Sequence, residues 1–106
     1  MSVLTLRALR VLDEQEGGGD EIYFRFADNG SGGTGKTSVF EGLDTGDYRS
    51  ISGSFSFTGS VKVTMYEDDT FSDDYVQTQT LSSYSGYHSI TFQESGMKYV
   101  LDYHVL

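Results

Sequence analysis

Val61, Val63 and Met65 alternate with Lys62, Thr64 and Tyr66, and Ile22, Phe24 and Phe26 alternate in the same way with Tyr23, Arg25 and Ala27. Successive side chains of a strand point to opposite faces, so a period of two builds sheets with one covered face. No comparable stretch carries the 3.6-residue spacing of an amphipathic helix. Proline is absent, so turns fall to the 13 glycines and to Asn, Asp and Ser. Aromatic residues make up 14% of the chain, all of them Tyr or Phe, which suits a pleated, half-buried surface.

Strands are expected over residues 3–11, with Leu4, Leu6 and Ala8 facing inward, and over 22–27. A short strand is expected at 37–40, and another at 50–58, broken at Gly53. Further strands are expected over 61–66, 75–81, 87–92 and 98–105, the last with Tyr99, Leu101, Tyr103 and Val105 on one face. About eight short strands with frequent turns describe an all-β, antiparallel β-sandwich. The 106 residues make one domain, 1–106, long enough to bury a core without staples. There is no cysteine for disulfides or thiolate metal sites.

The formal net charge is −9, which repels nucleic acid and a bare anionic membrane. No apolar run approaches the roughly 20 residues that span a bilayer. Residues 1–7 alternate like a strand and lack the apolar core of a signal peptide. The chain is then either made without a secretion signal or is an excised module. A weak calcium site would lean it toward the extracellular side, where calcium is abundant.

Two clusters of acids sit between expected strands: Asp13, Glu14, Glu16, Asp20 and Glu21, and Glu67, Asp68, Asp69, Asp73 and Asp74. Their mutual repulsion calls for a cation, and Ca2+ takes six to eight oxygen ligands from flexible loops of this kind. Loops from different strand pairs meet at one end of a sandwich. Asp13, Asp20, Glu67, Asp69 and Asp74 are therefore the expected ligands. Glu14, Asp68 and Asp73 are second choices, or ligands to a second ion. The glycines at 17–19 allow a tight fold that exposes carbonyls.

The string Asp20-Glu21-Ile22-Tyr23-Phe24 is similar to the start of the second strand in C2 domains, where an Asp before that strand is a ligand. Residues 63–76, from Val63 to Val76, resemble their third calcium loop, with acids two apart and another acid before the next strand. The resemblance implies a C2-like sandwich that binds Ca2+. Glu67 stands where that family usually has Asp, Glu21 where Pro is common, and Gln77 in place of a Gly. The loop is also one residue short. Lys62 is alone in its strand, so the resemblance carries calcium binding rather than phospholipid binding, and membrane contact through Phe71 is unsupported. The same loop resembles a βγ-crystallin Greek key through Tyr66 and Phe71, but Asp73 replaces its glycine and there is no second copy.

Gly30 to Thr37 fits the Walker A pattern letter for letter, but Gly42 and Gly46 interrupt the segment after it, and no helix is expected there. His88 and His104 lie on strands without a nucleophile constellation, so no enzymatic activity is expected. Tyr84, Tyr87, Tyr99 and Tyr103 raise the alternative of a metal-independent module for a protein or glycan partner.

Overall fold

The structure, a computed structural model, describes residues 1–14, 20–68, 73–94 and 96–106. Its strands are β1 (Ser2–Asp13), β2 (Asp20–Asp28), β3 (Thr34–Lys36), β4 (Phe40–Leu43), β5 (Tyr48–Ser50), β6 (Ser54–Phe57), β7 (Ser60–Glu67), β8 (Asp74–Ser82), β9 (Gly86–Glu94) and β10 (Met97–Val105). They form two antiparallel sheets. In the first, β5 and β6 both pair with β1, followed by β10 and β9; in the second, β3 and β4 both pair with β2, followed by β7 and β8. The all-β sandwich is as expected, with ten strands among the described residues rather than about eight.

The alternation expected of β2, β7 and β10 is what buries the core. Ile22, Phe24, Val63 and Met65 of the second sheet are sealed against Leu4, Leu9, Phe92, Tyr99 and Leu101 of the first. Phe24 meets Phe92 across the gap with ring centroids 5.4 Å apart. Each such side chain contributes about 1.5–3 kcal/mol when removed from water.

Two expectations are corrected. A β-bulge between Leu6 and Ala8 inserts Arg7 and switches the parity of β1. Leu9 and Val11 then join the core cluster in place of Ala8, which pairs with Asp102. Residues 37–39 are a connector rather than a strand: the Thr37 amide still donates to the Phe24 carbonyl at 2.9 Å, but the Phe24 amide is met by the Thr37 hydroxyl at 3.1 Å in place of a backbone carbonyl, and pairing resumes only at Phe40. The 50–58 segment breaks at Gly53 as expected: β5 ends before Gly53, whose φ of +143° only glycine adopts readily, and β6 starts after it. The four tyrosines divide in two: Tyr99 and Tyr103 lie between the sheets, and Tyr84 and Tyr87 are 78% and 69% exposed.

On one flank the sandwich is closed by side chains. Gln79 Nε2 of β8 donates to the Thr91 carbonyl of β9 at 2.8 Å, and the Gln93 amide of β9 donates to Gln77 Oε1 at 3.0 Å.

Candidate metal centre and the adjoining basic groove

The antiparallel pairings bring both acidic segments to one end. Asp13 ends β1 opposite Lys98. Asp20 opens β2, Glu67 ends β7 opposite Ile22, and Asp74 opens β8 opposite Glu67. The seven expected ligands among the described residues do not form one group. Asp69 lies outside the described residues. Asp13 is exposed and lines a hollow with Glu94 and Lys98. Asp74 is exposed. Asp68 and Asp73 turn to the outer face of the second sheet. Among the described residues no three His, Cys, Asp or Glu side chains are placed to hold a metal ion between them.

Glu14, Asp20 and Glu67 share a different neighbour. Tyr99, fully buried on β10, reaches from the first sheet across the core and donates its hydroxyl to Asp20 Oδ2 at 2.6 Å. Asp20 is 1% exposed and Glu67 7%. Burial, then the hydrogen bond to Asp20, then the charges of Asp20, Glu14 and Glu67 push the Tyr99 phenol far above its usual pKa, so it remains a donor. Glu14 Oε2 is buried without a hydrogen-bond partner among the described residues. A buried carboxylate oxygen in that state is costly, and a cation relieves it. The donor chemistry, all carboxylate oxygen, fits a hard divalent cation. The charges of Glu14, Asp20 and Glu67 all act on Tyr99, but the described residues alone place no three carboxylates to hold a metal ion between them. Tyr99 carries no sequence signal as part of this centre: it sits 79 positions from Asp20, on a strand whose pattern reads as core.

The outer face of the second sheet has the opposite charge. Arg25 of β2 stands opposite Lys36 of β3 on one side and Thr64 of β7 on the other, and Lys62 of β7 stands opposite Ala27. Together they line a groove of about 570 Å³. Tyr23 and Tyr66 stack at 5.4 Å beside it, and the Arg25 guanidinium lies over both rings at 5.7 and 5.3 Å. Lys62 is alone in its strand but not on its face. The cations come one per strand, so no basic run marks them in the sequence. Toward the acidic end, Arg25 and Lys36 also line a smaller hollow of about 240 Å³ with Asp68 and Asp73. There the Tyr23 hydroxyl donates to Asp73 Oδ2 at 2.5 Å. Burial, followed by that bond, raises the Tyr23 pKa.

No family model matches the chain, and no curated protein does. Among solved structures, one described as "Structure of a C2 domain" superposes with a TM-score of 0.71 at 23% identity, over 99% of this chain and 98% of that one. The fold is that of a C2 domain. A human GIVD cytosolic phospholipase A2, in complex with an inhibitor and terbium chloride, matches at a TM-score of 0.60 and 12% identity. The CC2D1B protein matches at 0.60 and 11%. These two cover 98% and 97% of this chain, which spans 17% of the phospholipase chain and 53% of the other.

In this C2-like sandwich the Walker-like segment has a structural account. The buried Asp28 carboxylate accepts from the Gly30 amide at 2.9 Å, the Ser31 hydroxyl at 2.6 Å and the Thr58 amide at 3.0 Å. These hydrogen bonds, those from Ser31 and Thr58 foremost, hold Asp28 below the usual carboxylate range. An amide that would cradle phosphate therefore serves the chain's own carboxylate, and β3 and β4 follow where a P-loop needs a helix. His104 stacks on Tyr87 at 4.4 Å with Arg7 over that ring, and His88 Nε2 is 2.8 Å from the Tyr84 carbonyl.

Proposed function

We propose that this C2-like chain is a non-enzymatic binding module that takes up Ca2+ at its acidic end. The observation that supports the proposal is the buried Glu14 Oε2, unmet among the described residues, at the end of the sandwich where Asp20 opens β2 and Glu67 ends β7. The ion would offset repulsion that the fold otherwise concentrates between its sheets. The C2 resemblance implies further carboxylates from Asp13, Asp69 and Asp74. The phospholipase neighbour was determined with terbium chloride, and terbium is a hard, oxygen-seeking cation of the same ligand class. A calorimetric titration of the chain with Ca2+ and with Mg2+ tests the proposal. Saturable calcium heat, together with a melting temperature raised by calcium and lowered by EDTA, is the expected outcome. Zero heat and identical melting curves would overturn it.

A second reading is favoured by the groove of Arg25, Lys36 and Lys62. Three cations on one face of a chain of net charge −9 suit an anionic group on a lipid or protein partner, bound without metal. Binding to anionic vesicles that persists in EDTA would support it. Binding that requires calcium would return the role to the acidic end.

A further inference from the structure

We infer that the outer edge of β3 is a docking site for an extended acidic peptide, which adds to the second sheet as one more strand and lays its carboxylates toward the cation groove. The inference rests on the metal-independent reading of that groove and names its ligand. The Thr37 amide donates to the Phe24 carbonyl at 2.9 Å, and the Asp28 amide donates to the Gly33 carbonyl at 2.7 Å. Between these two bonds β3 pairs with β2 in unbroken register, so residues 33, 35 and 37 turn their backbone groups toward β2. Thr34 and Lys36 turn theirs the other way. On that side β3 is the last strand of its sheet, and no hydrogen bond among the described residues takes up those groups. An edge of this kind receives a polypeptide by main-chain pairing. At the opposite flank, by contrast, the side chains of Gln77 and Gln79 take up part of the β9 backbone.

The side chains around the edge select what can be added. Thr34 and Lys36 are exposed on the groove face, opposite Ala27 and Arg25 of β2. Alternate residues of an added strand fall beside them on that same face. Lys36 is then a cross-strand neighbour, and Arg25 lies one strand further in, at about 5 Å per strand. Opposite charges across a ladder attract, and a lysine on an edge strand turns away neutral and basic strands. Carboxylates are the side chains this face admits. The intervening residues of the added strand face the other way. There Gly35 lies so close over the half-buried Phe55 that a Cβ on it would stand 3.1 Å from the ring. Apolar side chains suit that surface, so the fitting ligand alternates acidic with apolar residues. A lipid headgroup has no row of amides and carbonyls to meet those of Thr34 and Lys36, and the open backbone therefore favours a peptide.

The test titrates the full chain, in EDTA, with a short end-blocked peptide of alternating Glu and Val. Calorimetry reads the affinity, and hydrogen exchange reads the amides of Thr34 and Lys36. Two comparison peptides carry Lys in place of Glu, or N-methyl groups on the backbone amides. Saturable binding of the Glu-Val peptide with slowed exchange at both amides is the expected result. The N-methyl peptide is expected to bind at least about tenfold more weakly, and the Lys peptide not at all. Lys36→Glu is expected to weaken the Glu-Val peptide by more than about tenfold. Thr34→Pro removes one outward N–H at an edge position, where proline is tolerated, and is expected to weaken it by about tenfold. Should Thr34→Pro not fold, the N-methyl peptide tests the backbone pairing on the parent chain. Equal affinity for the N-methyl and parent peptides overturns strand addition and leaves a groove that responds to charge alone. Equal affinity for the Lys peptide overturns the selection of acids. Anionic vesicles bound in EDTA by a chain that ignores the peptide overturn the inference and leave the groove as a membrane contact. A chain that binds neither overturns the groove reading, and the inference with it.

Discussion

Replacing Glu67 by Gln separates two effects of its carboxylate. In metal-free protein this 7%-exposed side chain shares the Tyr99 environment with Asp20 and Glu14, and it stands opposite Asp74 in the β7–β8 ladder. Like charges directly opposite destabilise a ladder by up to about 1 kcal/mol. Gln keeps the shape and removes the charge, so Glu67→Gln should be the more stable protein in EDTA. For 106 residues, an unfolding entropy of about 2.1 cal/mol/K per residue converts 1 kcal/mol into about 4–5 °C. Calcium at a hundred times Kd stabilises the parent by about 2.7 kcal/mol. By the same conversion that is about 12 °C. Glu67→Gln should lose most of that rise, so the order of melting temperatures reverses: variant above parent in EDTA, parent above variant in calcium. Differential scanning calorimetry in the two buffers reads both signs. A variant that melts below the parent in EDTA, or one that keeps the full calcium shift, refutes the reasoning.

Two further outcomes are expected. Asp28→Ala should speed hydrogen exchange at the amides of Gly30 and Thr58. It should also flatten the acid limb of stability: a carboxylate whose folded pKa is depressed contributes above its ordinary pKa and loses that contribution as pH falls through the folded value. Unchanged exchange would remove Asp28 as the organiser of its loop. Reversing charge with Lys36→Glu and Lys62→Glu together should weaken binding to anionic vesicles by more than about tenfold, since each cation near such a surface contributes roughly 1 kcal/mol. Equal flotation of parent and double variant would show that the groove is not the contact.

The sandwich was legible wherever a strand is long and covered on one face. Ile22 to Phe26 and Val61 to Met65 alternate as they pack. The short strands were less legible because their extent is set by partners rather than by their own pattern: Thr34–Lys36 is a strand only because Arg25, Phe26 and Ala27 lie opposite. The bulge at Arg7 was invisible, because one inserted residue costs no hydrophobic position; it exchanges Ala8 for Leu9, and both are apolar. The acidic end followed from strand boundaries, since chain direction alone brings Asp20 and Glu67 together. Its interior did not. The bond between Tyr99 and Asp20 joins distant segments, and the pattern that marks Tyr99 as core is silent about where its oxygen ends. The separation of Asp68 and Asp73 from Asp20 likewise depends on which face of β2 each loop falls against.

Edge strands offer rows of open backbone groups on which another polypeptide can add itself. In this molecule Gln77 and Gln79 occupy such positions on β9 with side-chain amides, which mimic a backbone without being able to propagate one. On a crowded surface or in a tandem array, the Thr91 carbonyl and the Gln93 amide are therefore already taken, which shortens the stretch of β9 open to strand addition.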